Sequence, residues 1–193
     1  ISLSYKEGLA LINGTQFSTA YGLHCCLQAG ILVKSADIIG ALTVDGMKGT
    51  SQAFREDIHR LKAHMGQKKS AKNLWKLLED SEILTSHPDC GIVQDLYSLR
   101  CMPQVHGASR NTLEYFNHVI ETEINSVSDN PLVMQETGEI ISAGHFHAQA
   151  VGQAMDCAAI AMTTLGTISE RRTYAMVNGD FGLPAFLTKS PGI

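Results

Sequence analysis

The most chemically loaded stretch of the 193 residues is Gln94-Asp95-Leu96-Tyr97-Ser98-Leu99-Arg100. It places an amide, a phenol and a guanidinium within one or two helical turns. Tyr97 and Arg100 are three apart, so a helical turn aims both the same way. An arginine so placed can hold a carboxylate through two parallel hydrogen bonds. A neighbouring tyrosine can move a proton or donate to a developing anion. Spacing alone nevertheless favours a blander account, a capped helix start with surface polar groups.

Three other groups invite a chemical reading. His145-Phe146-His147 follows the β-rich run Glu139 to Ser142, and a strand projects alternate residues on one side, so both histidines could ligate a metal. No alternation of strands and helices supplies the rest of such a site, and no metal is expected. Asn13-Gly14-Thr15 is a common turn signal and is ambiguous by itself. The basic run from His59 to Lys76 could bind phosphate, yet its charges share helices with apolar faces and lead into Glu79 and Asp80. It reads as a solvated helix face.

The elements that must position these residues are helical. Residues 16 to 43 carry only Lys34 and Asp37 as charges, and residues 147 to 169, ending in Glu170-Arg171-Arg172, only Asp156. Such all-round apolarity marks helices surrounded by other helices. Residues 51 to 65 and 70 to 79 read as amphipathic and peripheral. Ser81 to Asp95 has loop character, with His87-Pro88-Asp89 and Gly91 as breakers. Pro103 opens a long helix to about Asn125. Residues 131 to 144 suggest a short hairpin or irregular segment with Thr137-Gly138 at its tip. The chain is therefore expected to be all-α. Two nearly uncharged helices are hard to bury with the amphipathic ones present, so they call for partners outside this chain.

Composition narrows the class. With 44% hydrophobic and 18% charged residues the chain can bury a core, which excludes intrinsic disorder. A net charge of -4 argues against nucleic-acid binding by bulk positive charge. Residues 8 to 33 are uncharged, but Asn13, Gln16, His24 and Gln28 interrupt them too often for a membrane span. The cysteines are Cys25, Cys26, Cys90, Cys101 and Cys157, an odd count without metal-ligand spacing. They are expected to be reduced and mostly buried in a cytoplasmic protein.

Taken together, four stretches in order carry a resemblance: KEGLALINGTQ (6 to 16), VQDLYSLRCMPQVHGA (93 to 108), EINSVSDNPLV (123 to 133) and IISAGHFH (140 to 147). Glu170-Arg171-Arg172 and Gly182-Leu183-Pro184 continue the pattern. The chain resembles the aromatic amino acid ammonia-lyase family, with the histidine-specific members nearest. The resemblance spans essentially all of residues 1–193, which are read as the central part of the catalytic domain. It implies the long-helix bundle of the ammonia-lyase and fumarase-like type, a homotetramer with shared active sites, and elimination of ammonia from an aromatic amino acid. With L-histidine the product is trans-urocanate.

The family's electrophile, methylidene-imidazolone (MIO), is made from an Ala-Ser-Gly tripeptide that is absent here and expected upstream of Ile1. The 193 residues alone are therefore expected to be inactive. Carried over by position, Arg100 clamps the substrate carboxylate and Asn13 supplies an amide close to both MIO and the carboxylate. Gln94 adds polar support, Tyr97 stands beside MIO in cofactor formation or proton handling, and Phe146 packs near it. His145 becomes part of the substrate pocket wall. The chain departs from the family pattern at three positions. His145 replaces a common asparagine, Gln149 a glutamate frequent in histidine enzymes, and Leu96 the usual proline. Alternatives are a phenylalanine or tyrosine lyase or an aminomutase of the same family. Outside that class stand a metal-dependent hydrolase using His145 and His147, and a non-catalytic helical scaffold.

Overall fold

The computed structural model describes residues 1–87 and 91–190; Pro88, Asp89 and Cys90, part of the segment read as loop, lie outside them, as do Pro191, Gly192 and Ile193. In chain order the helices are α1 (Glu7–Ala10), α2 (Gln16–Gly46), α3 (Glu56–Arg60), α4 (Met65–Leu77), α5 (Glu82–Thr85), α6 (Tyr97–Arg100), α7 (Met102–Ile124) and α8 (Gln149–Asn178). Two-residue strands β1 (Leu132–Val133) and β2 (Ile140–Ile141) pair antiparallel with Leu132 opposite Ile141. The expected all-α class and the short hairpin within 131 to 144 are both present.

Three long helices and α4 make the bundle. The close approaches set their directions. Gly22 near the start of α2 faces Ile120 near the end of α7, while Gly40 near the end of α2 faces Met102 at the start of α7. Helix α7 is thus antiparallel to α2. Gly22 also lies against Met155, early in α8, so α8 runs parallel to α2. One apolar cluster around Val44, Leu99, Met102 and Ile168 fills one end, and another around Val33, Phe116, Ile120 and Val151 fills the other. Helix α4 crosses α7 where Gly66 meets Gly107. A Cβ on Gly107 would lie 2.3 Å from the Gln67 backbone nitrogen, so only glycine allows the two backbones to come this close.

Several expectations need correction. Residues 51 to 65 form a 3₁₀ turn and the short α3, broken before α4, and α4 begins at Met65 rather than 70. His59 does not belong to a solvated face. It is buried, with Nε2 against the Ala53 carbonyl and Nδ1 against the Gln67 amide. Arg60, Lys62, Lys69, Lys72 and Lys76 are exposed, as a solvated face requires. The loop expected over 81 to 95 contains α5, whose first turn is capped by the Ser81 hydroxyl accepting from the Leu84 N–H. Helix α8 runs through Glu170-Arg171-Arg172 to Asn178 and ends on Gly179 in the left-handed conformation. Of the four described cysteines, Cys25 and Cys157 are exposed and Cys26 and Cys101 half-buried, all four free. Cys25 and Cys157 sit on helix faces that this chain does not cover, whereas Cys26 packs at the edge of the core.

The same shortage of cover explains α2. By length and apolarity it would pass for a membrane span. Yet it packs on α7 and α8 with one face only, leaving Phe17 79% and Leu27 63% exposed. The apolar outer residues Ile160 and Tyr174 of α8 are open as well. Neither helix is enclosed within this chain, as expected of helices that call for partners outside it: α7 packs on one side of each.

Asp37 ties the bundle together from inside. Its buried carboxylate accepts from His106 Nδ1 at 2.8 Å, from the Asn73 amide at 2.8 Å and from the Arg110 guanidinium. Burial pushes the carboxyl pKa upward, but the bonds from His106 and Asn73 and the charge of Arg110 outweigh it and hold it low. Burial holds His106 below its ordinary value against the pull of Asp37, so the ring is neutral and donates through Nδ1. Both folded pKa values lie below their unfolded counterparts, so the unfolded chain takes up the extra protons as pH falls. Stability is therefore full above about pH 6.5, declines first as the unfolded histidine protonates, and declines again below about pH 4 as the unfolded carboxyl does. Thermal melts of the full-length protein across this range are expected to show the first decline, and His106→Asn to remove it. An unchanged slope in that variant would refute the assignment.

Candidate active site

Three of the four motif stretches meet at the bundle end where α2 and α8 begin and α7 finishes. Lys6 Nζ donates to Asp129 Oδ2 at 2.7 Å and to the Pro131 carbonyl at 3.3 Å. The turn Asn13-Gly14 lies against the Ser128 carbonyl. Lys6, the Asn130 N–H and the Asn13 amide hold the Asp129 carboxyl below its usual range. From the same loop, Asn130 Oδ1 accepts from the Ala143 N–H at 2.7 Å and so draws in residues 140 to 147. His145 and Phe146 are exposed beside it, and His147 Nδ1 accepts from the Gln149 N–H at the start of α8. Among the described residues no three His, Cys, Asp or Glu side chains are grouped to hold a metal.

Gly14 is the hinge of this junction. Its φ is +104°, and a Cβ there would stand 2.3 Å from the Ser128 carbonyl oxygen. Gly14→Ala combines a strained backbone with a clash against backbone and is expected to cost roughly 2–4 kcal/mol of local stability. The loop from 125 to 131 should then become a preferred site of limited proteolysis in the full-length protein. Cleavage no faster than in the parent would count against this junction.

The remaining motif lies at the far end. Helix α6 carries Tyr97 and Arg100 outward and turns Ser98 and Leu99 into the core, where Leu99 joins Met102 and Ile168. Tyr97 is 66% exposed. Arg100 is half-buried; its Nε is enclosed and has no hydrogen-bond partner among the described residues. Gln94 is exposed just before it, and Asp95 anchors the approach by accepting from the Thr50 N–H at 2.7 Å. The segment is thus pinned beside the C-terminal end of α2.

The sequence-selected residues therefore fall into two groups at opposite ends of one chain. Asn13, His145 and Phe146 stand at the start of α2, whereas Gln94, Tyr97 and Arg100 stand near its finish. From Gln16 to Gly40, which is level with Met102, the rise of about 1.5 Å per residue amounts to roughly 35 Å. No single copy brings Asn13 and Arg100 to one substrate.

The profile described as "Aromatic amino acid lyase" matches residues 1–193. The chain belongs to the aromatic amino acid lyase family. It is 51% identical over 195 aligned positions to a histidine ammonia-lyase of Gloeobacter violaceus, covering 100% of this chain and 38% of that protein. It superposes on the crystal structure of histidine ammonia-lyase from Trypanosoma cruzi with a TM-score of 0.87 and 40% identity, covering 100% of this chain and 35% of that one. A tyrosine aminomutase from Streptomyces globisporus gives a TM-score of 0.90 at 34% identity, with coverages of 100% and 40%. The chain thus spans well under half the length of the relatives it matches.

Sequence reasoning singled out the outward-facing site residues of this lyase-family chain but not those that hold them. Lys6, Asp129 and Asn130 lie inside the motif stretches without having been given a task. Arg172 was taken as part of a polar helix end, yet it is 1% exposed. Its signal was present in the spacing, because Ile168, Arg172 and Ala175 share the buried stripe of α8.

Proposed function

We propose that the full-length protein containing this chain is an ammonia-lyase that converts L-histidine to trans-urocanate and ammonia, as a cytoplasmic homotetramer. The observation that carries the reading is identity of 51% across the whole chain to a histidine ammonia-lyase, against 34% to a tyrosine aminomutase. The split of the candidate residues between two ends supports the tetramer, since a site needing both groups must draw them from different subunits. The free thiols of the described cysteines accord with a reducing compartment.

Elimination from an amino acid is difficult because the β-proton is barely acidic and the amine leaves poorly. The MIO group, supplied from outside these residues, contributes an electrophile that makes the nitrogen a better leaving group. The chemistry of this chain's donors fits that task. Arg100 binds and orients the substrate carboxylate through its guanidinium, whose enclosed Nε has no partner among the described residues. Tyr97 presents its phenol on the same side and moves a proton at its hydroxyl. Gln94 adds polar support to that end. From a second subunit, Asn13 directs its amide toward the carboxylate and Phe146 and His145 wall the pocket and exclude water.

Purified full-length protein should release urocanate, followed by its ultraviolet absorbance, with one ammonia per turnover. Residues 1–193 alone should release none. Turnover of phenylalanine or tyrosine but not histidine would overturn the substrate, and a β-amino acid product would overturn lyase in favour of aminomutase chemistry. Activity that requires stoichiometric zinc would overturn the reading altogether.

A further inference from the structure

Arg172 lies in the middle of the buried stripe of α8, between Ile168 and Ala175, where the pattern calls for an apolar side chain. It is the largest fully buried side chain of the described residues. Its neighbour Arg171 points the other way, paired with Glu170 and stacked on Tyr174 at 5.0 Å. A buried guanidinium without a carboxylate is costly, and here no carboxylate is bonded to it. Its hydrogen bond among the described residues runs from Nη1 to the Ser98 carbonyl at 3.4 Å, while Nε and Nη2 are enclosed without partners. Burial draws its pKa down to about 10, still far above neutrality, so the charge is retained.

Among the described residues the group it bonds belongs to α6. Ser98 sits between Tyr97 and the Leu99-Arg100 pair, and its carbonyl is a point at which the turn touches α8. Leu99 anchors the same turn through the apolar cluster. A charged donor on the adjacent carbonyl adds a directional contact to that packing. Since Tyr97 and Arg100 flank the held peptide, its orientation sets where the phenol and guanidinium point.

We propose that Arg172 is a positioning residue for the carboxylate clamp, acting through the Ser98 carbonyl to aim Arg100 and Tyr97 at the substrate. The proposal rests on the clamp assignment above and adds a residue that never meets the substrate. On the helix that follows α6, His106 Nε2 and Gln104 Oε1 are likewise enclosed without partners among the described residues.

The test uses the full-length protein and compares binding of urocanate, which carries the carboxylate, with urocanamide, which does not. The parent is expected to prefer the acid. Arg172→Met should lower that preference by about tenfold or more, because a misaimed Arg100 loses its charge-assisted bonds while the amide loses little. Arg172→Lys, which keeps a buried cationic donor, should recover most of it. Adding Arg172→Met to Arg100→Ala should remove no further preference. Binding is expressed per folded tetramer, and where Arg172→Met does not fold, Arg172→Gln takes its place with the same expectation. A preference within about twofold of the parent in the folded variant, or equal losses for acid and amide, would overturn the positioning role. A parent that binds acid and amide alike would instead overturn the clamp itself, so the two failures are distinct.

Discussion

Arg100→Ala in the full-length protein is expected to lower kcat/KM by about 2–4 kcal/mol, roughly 30- to 1,000-fold. The guanidinium stands at the open end of the bundle with an enclosed, unpartnered Nε, so its donors are not spent on the fold. Removing it takes away charge-assisted bonds to the substrate carboxylate and leaves that anion without its cationic partner. Most of the loss should appear in KM if the contact holds ground state and transition state alike. Arg100→Lys keeps the charge but not the fork, and should recover only part. Steady-state kinetics with L-histidine decide the matter, and an unchanged rate and KM would refute the clamp.

The second large effect concerns assembly. Asn13→Ala and Arg100→Ala are each expected to be nearly inactive as pure tetramers, yet tetramers mixed from both should recover activity. The two residues lie about 35 Å apart along α2, so a site that uses both would take Asn13 from one subunit and Arg100 from another. In an equal random mixture each residue is intact at half of the sites, and about one quarter of sites have both. Co-expression with two affinity tags and assay of the doubly tagged species measures this fraction. Mixed tetramers no more active than either parent would show that the two residues do not serve one site across subunits. The exposed apolar faces of α2 and α8 are the surfaces such an assembly would bury.

Much of the fold was legible because helix signals are local. The uncharged run after Asn13-Gly14-Thr15, Pro103 at the start of α7 and the turn at Thr137-Gly138 each act over a few residues, and each element stands where those signals put it. The errors arose where a tertiary contact reverses the meaning of a polar residue. His59 reads as basic surface until Gln67 and the Ala53 carbonyl satisfy both ring nitrogens in the interior. Glu170-Arg171-Arg172 reads as a helix end until Arg172 is turned inward to Ser98, and the helix continues beneath it to Asn178. The cysteines read as buried because composition reports what a residue type usually does, not whether a given helix face finds a neighbour.

For the site, the order of the motifs and the family resemblance they carry selected Gln94, Tyr97, Arg100, Asn13, His145 and Phe146 as candidates, because motif order is a property of the chain itself. What the motifs do in space is a different matter. Residue spacing places Asn13 and Arg100 only 87 positions apart, the difference between 100 and 13, and leaves open whether they meet. The straight run of α2 and the antiparallel return of α7 place them at opposite ends. Separation along a helix grows by a fixed rise per residue and cannot be folded away, so only the tertiary structure could show that the two groups of candidate residues stand at opposite ends of one copy.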